Sequence, residues 1–102
     1  DSGSANLKSS AKRTLDEVAS VLRQQFGGHP IRVEGHSDSD PIRKSNWKSN
    51  EHLSFERALT AEKYLASKGV QNTLMYSAGF GPDKPRGSKS QSRRVEIIVL
   101  GN

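Results

Sequence analysis

Apolar positions along the chain recur with two different periods. Leu15, Val18, Ala19, Leu22 and Phe26 follow one another at steps of 3, 1, 3 and 4, the stripe of an amphipathic helix over about 9 to 26. Ser9 or Ser10 is the expected N-cap, and Gly27-Gly28 the stop. After Pro30 the period drops to two in Ile31-Arg-Val-Glu-Gly, which predicts a short strand buried by one face. Ser37 to Asn50 is polar and contains Pro41, so it reads as a loop, and its length hints at function. Asn50 is the expected N-cap of a second helix whose face carries Leu53, Ala58, Ala61 and Leu65 and which Gly69 ends. Thr73 to Ala78 suits a strand before the turn Gly79-Phe-Gly-Pro. Arg93 to Leu100 is the strongest strand, with Val95, Ile97 and Val99 on one face and Arg94, Glu96, Ile98 and Leu100 on the other.

The order helix, strand, helix, strand, strand predicts an α/β two-layer sandwich. Two main helices should pack on one face of a small mixed β-sheet. A chain of 102 residues gives one domain, 1–102, by the prior of roughly 100 to 200 residues per domain. That length excludes an enzyme with a separate cofactor lobe. There is no apolar run of about 18 residues that would cross a membrane, and no leader pattern at the start. The absence of cysteine removes disulfides and thiolate metal sites.

Sixteen Lys and Arg against eleven Asp and Glu give a net charge of +5. The excess is local, because Lys84, Arg86, Lys89, Arg93 and Arg94 fall in a run without an acidic residue. Such a run is either a solvated loop or an attractor of acidic partners. A nucleic-acid module is the alternative it raises, with steep salt dependence as its mark. No aromatic stacking platform is interleaved with those cations, which argues against nucleic acid.

Other chemistry is thin. His36, Asp38 and Asp40 are three polar residues in one loop and lack an established ligand spacing, so no metal and no cofactor is expected. Ser54, His52 and Asp38 are the residue types of a small hydrolase, but no nucleophile elbow surrounds Ser54. Gly79-Phe-Gly81 lacks the third glycine of a dinucleotide fingerprint. Trp47, among Lys44 and Lys48, either packs over its loop or offers a flat face to a glycan or partner.

The informative stretch is Gly35-His-Ser-Asp38 at a strand end, followed by Asn50 to Ala58 at a helix start. Asp38 can receive an ammonium, and the Arg57 guanidinium can hold a carboxylate through two parallel hydrogen bonds. Amides of the first helical turn add to an anion site, and the set suits a zwitterion. The bland alternative is a turn aspartate whose neighbouring arginine pairs with it or with Glu56 or Glu62.

These residues, with Val33-Glu-Gly-His-Ser-Asp38, Leu53-Ser54, Arg57-Ala58, Lys68-Gly-Val70, Ala78-Gly-Phe-Gly81 and Arg93-Arg-Val-Glu-Ile97, resemble the OmpA-like peptidoglycan-binding domains of outer-membrane protein A, peptidoglycan-associated lipoprotein and MotB. The resemblance implies a β-α-β-α-β-β pattern whose first strand ends at about Asp1, so three strands and an exposed edge are expected. It implies a noncatalytic clamp on the diaminopimelate of the peptidoglycan stem peptide. Asp38 and Arg57 would grip the amine and carboxylate, with Ser37, Asn50 and one or both of Arg93 and Arg94 lining the pocket and Asp1 to Ser4 bordering it. It further implies a periplasmic location and a membrane-anchored parent whose domain is not itself inserted, and leaves a homodimer open. Family members usually carry Thr where Ser37 stands and Asn where Ser92 stands. The insertion from Ser39 to Asn50 is more similar to the MotB-type branch.

Overall fold

The computed structural model describes residues 7–38, 49–84, 87–88 and 93–101. The first apolar stripe forms helix α1, Ser9–Gln25, which buries Leu15, Ala19 and Leu22. Its N-cap is Lys8 and not Ser9 or Ser10: Lys8 has an extended backbone, its carbonyl accepts the Lys12 N–H at 3.0 Å, and no side chain caps the helix. Phe26 closes the helix, and Gly28 then turns the chain at a φ of 87°.

Strand β1, Ile31–Gly35, is the middle of a three-stranded sheet among the described residues. It pairs parallel to β2, Met75–Gly79, and antiparallel to β3, Val95–Val99. The ladder puts Ile31 beside Met75 and Val99, and Val33 beside Ser77 and Ile97. Those apolar side chains, with Val95, form the sheet's contribution to the core. The strand expected over Thr73 to Ala78 begins later, because Asn72–Leu74 first makes a 3-10 turn and the extended backbone resumes at Met75. The expectation of a one-sided β1 also needs correction. Glu34 is 4% exposed although its side chain points away from the core, because a central strand has neighbours on both edges.

Helix α2, Asn50–Ser67, lies across β1 and β2 and buries Leu53, Ser54, Ala58, Ala61 and Leu65. Asn50 is its first residue and not its cap. Ser49 takes that role, because its backbone is extended and its hydroxyl accepts the His52 N–H at 3.0 Å. At the other end Gly69 has a φ of 97°; its N–H reaches Ala66 O at 3.1 Å and the Val70 N–H reaches Leu65 O at 3.2 Å. This satisfies two terminal carbonyls and turns buried Val70 back onto the core. Both helices contribute to one apolar cluster with the same face of the sheet, as the element order predicts.

The strand ends are where the sheet and α2 come closest. A Cβ on Gly35 would stand 1.7 Å from the Ser54 carbonyl oxygen, and one on Gly79 would stand 2.6 Å from the Phe55 amide nitrogen. Glycine at these two positions therefore lets the first turns of α2 rest directly on the ends of β1 and β2. This contact sets the position of everything that follows.

Candidate functional site

Chain leaving β1 does not drift into solvent. The His36 N–H donates to Arg94 O at 2.8 Å and the Ser37 N–H to Gly81 O at 2.9 Å, while the Phe80 N–H donates to Gly35 O at 3.0 Å. These bonds continue the pairing on both sides beyond the strand and fix the backbone as far as Ser37, the residue before Asp38. Ser54 locks the same region from the helix. Its hydroxyl donates to Glu51 O at 2.8 Å and accepts the Gly81 N–H at 2.9 Å, so it ties α2 to the turn after β2.

The result is a buried carboxylate paired with one arginine and within electrostatic reach of a second. Asp38 is 7% exposed, and Arg93, just before β3, donates through Nη1 to Asp38 Oδ2 at 2.5 Å. Arg57 stands in the second turn of α2. Burial pushes its guanidinium below the ordinary value, the nearby Arg93 charge pushes the same way, and Asp38 opposes both. The three side chains thus feel one another's charge. Among the described residues, the cluster sets one carboxylate against two guanidinium groups.

The other expected site residues fall around this cluster in different ways. The Ser37 hydroxyl is buried and donates to Asp38 O at 3.1 Å, which steadies the aspartate backbone. Asn50 is half-buried at the start of α2. Arg94 donates through Nε to Glu96 Oε2, so the adjacent arginines divide their work: Arg93 serves Asp38 and Arg94 serves the sheet face away from the helices. Asp1 to Ser4, Asp40, Trp47 and Ser92 lie outside the described residues.

The hydrolase residues are not assembled. Ser54 is fully buried and both of its hydroxyl bonds go to backbone, while the His52 ring lies 3.8 Å from Glu56 on its own helix. Gly79 and Gly81 serve close packing: a Cβ on Gly81 would lie 2.8 Å from the Glu51 carboxylate, and its φ is 56°. From the basic run, Lys84 places its ammonium 4.3 Å from the centre of the Phe80 ring. The residue that sequence reasoning undervalued is Ser54. A small polar residue at a core-facing helical position, beside Leu53 and one turn before Ala58, was the available signal for a helix pressed against backbone.

A model of the OmpA family matches residues 1–97. Motility protein B of Bacillus subtilis is 32% identical over 107 residues, a span covering 98% of this chain and 41% of that protein. The peptidoglycan-associated lipoprotein of Agrobacterium fabrum is 32% identical, with 99% of this chain and 57% of that protein covered. The chain therefore spans about half the length of these two curated relatives. Among solved structures, the C-terminal domain of Helicobacter pylori MotB superposes with a TM-score of 0.92 at 22% identity, covering 100% of this chain and 82% of that one. At that identity the likeness is one of fold.

Proposed function

The chain belongs to the OmpA family, and from that premise we propose that it is a noncatalytic clamp that anchors a membrane-attached protein to peptidoglycan in the periplasm. Its ligand is the diaminopimelate residue of the stem peptide, whose side chain ends in an ammonium and a carboxylate on one carbon. The observation that carries this reading is the buried Asp38, bonded to Arg93 and close enough to Arg57 for their charges to act on each other.

Asp38 accepts hydrogen bonds from the ligand ammonium and Arg57 holds its carboxylate. Arg93 occupies Asp38 Oδ2 in the free domain, so the incoming ammonium shares that oxygen or releases Arg93 toward a ligand carboxylate. Charge-assisted hydrogen bonds contribute about 1.5–3 kcal/mol each, so a few of them give micromolar to millimolar affinity for one stem. Attachment to the polymer is tighter through the many linked stems.

Retention on purified sacculi tests the reading, with the folded state of each variant checked by circular dichroism. Asp38→Ala and Arg57→Ala are each expected to lose most retention, and Arg93→Ala a smaller part. The fold should survive, because these side chains border the core without filling it. Unchanged retention in both Asp38→Ala and Arg57→Ala would falsify the clamp.

A further inference from the structure

Glu34 and Glu96 are register partners across β1 and β3. Like charges directly opposite in an antiparallel pair repel, and the side chain of Glu34 is only 6% exposed, where water screens little. Two arginines offset this. Arg32 donates through Nε to Glu34 Oε2 at 2.6 Å, and Arg94 through Nε to Glu96 Oε2. Beside the two acids stands His36, fully buried and stacked at 5.2 Å on the Phe80 ring. Its Nε2 lies 3.4 Å from Glu34 Oε1 and 3.8 Å from Glu96 Oε2. Both are longer than a good hydrogen bond, and Nδ1 has no hydrogen-bond partner among the described residues. A buried imidazole this poorly satisfied is uncommon.

One donor atom from each of Glu34, His36 and Glu96 lies within 4.8 Å of the others. Tetrahedral zinc, with nitrogen and oxygen ligands at about 2.0–2.2 Å, sets ligand-to-ligand edges of roughly 3.3–3.5 Å. The His36 to Glu34 separation of 3.4 Å is already such an edge, whereas Glu96 Oε2, 3.8 Å from His36, is held by Arg94 and would have to give up that guanidinium or present its other oxygen. Arg32 takes the outer oxygen of Glu34 and leaves Oε1 turned to His36, as an outer-shell group orients a ligating carboxylate.

We propose that Glu34, His36 and Glu96 form a binding site for zinc on the sheet face away from the helices. One imidazole with two carboxylates suits zinc better than calcium or magnesium, which favour all-oxygen sets. Arg32 and Arg94 balance the two carboxylates before any ion enters and would compete with it, which weakens the site. Bound zinc would bridge the central strand to β3 across the repelling pair.

A zinc titration of the whole chain, stripped of metal beforehand, tests this by calorimetry and thermal denaturation. One equivalent of zinc and a raised unfolding temperature are expected, since binding to the folded state alone stabilises it. Glu96→Gln changes a partly exposed residue, and its fold is checked by circular dichroism; binding should weaken at least tenfold in it and in His36→Gln. The double variant His29→Gln, His52→Gln should bind as the parent does. No uptake up to about 100 µM zinc at neutral pH, full binding by folded Glu96→Gln, or loss of binding in the His29/His52 variant would each overturn the site.

Discussion

The two faces of the central strand are buried to a similar depth by opposite means. Toward the helices, Ile31 and Val33 are 2% and 0% exposed and meet Leu22, Ala58 and Leu65 in an apolar cluster. Away from the helices, Glu34 and His36 are 4% and 0% exposed, yet Arg32, Glu96 and Arg94 surround them with charge. The apolar face gains from removing surface from water, which asks only for shape. The charged face gains only while each partner remains, because breaking one pair leaves a buried charge exposed to a low dielectric. Burial is thus no guide to tolerance of change on this strand. A single apolar replacement of similar volume is open to one face and closed to the other, where it strands a charged partner.

The comparison can be broken where its contrast is sharpest. Leu65→Ala, at a residue 0% exposed in the apolar cluster, is expected to lose about 2–5 kcal/mol in urea unfolding through lost transfer energy and a residual cavity. A cost near zero would mean that α2 is not held by that face. Glu34→Gln keeps the shape but removes the charge that holds Arg32 and His36. It should cost about 1–3 kcal/mol in the metal-free chain, and a stabilised variant would show that repulsion from Glu96 dominates the charged face.

The smallest effect is a slope. The ordinary histidine pKa is 6.5, and burial followed by Arg94 lowers that of His36. As pH falls through 6.5 the unfolded chain takes up a proton that the folded chain refuses. Stability should therefore decline with falling pH and level off only below the folded pKa. His36→Gln should flatten this part of the stability profile, and an unaltered slope would place the proton elsewhere.

Much of the fold was legible in the chain because it rests on local periodicity. The stripe of Leu15, Ala19 and Leu22, the face of Leu53, Ala58, Ala61 and Leu65, and the alternation of Val95, Ile97 and Val99 appear where the pattern put them. The helix caps were misplaced by one residue or more, because Lys8 and Ser49 take that role through extended backbone, and for Ser49 a hydroxyl bond, that neighbouring Ser9 and Asn50 conceal in a sequence. For the site, the residue pattern supplied Asp38 and Arg57, and the family resemblance supplied the two candidate arginines. It did not say which arginine meets Asp38, since Arg93 and Arg94 are adjacent and of one type.

Residue order by itself therefore determined which side chains turn inward, since periods of 3.6 and 2 assign faces without reference to any distant residue. Tertiary structure decided the encounters between distant segments. Arg93 reaches Asp38 because β3 pairs beside β1, and Glu96 stands opposite Glu34 because the register of that pairing permits no other partner. Gly35 and Gly79 brought α2 close enough to carry Arg57 to the same place. The physical reason is that faces follow from torsion angles within one segment, whereas register follows from how two segments pack, and charge chemistry depends on the second.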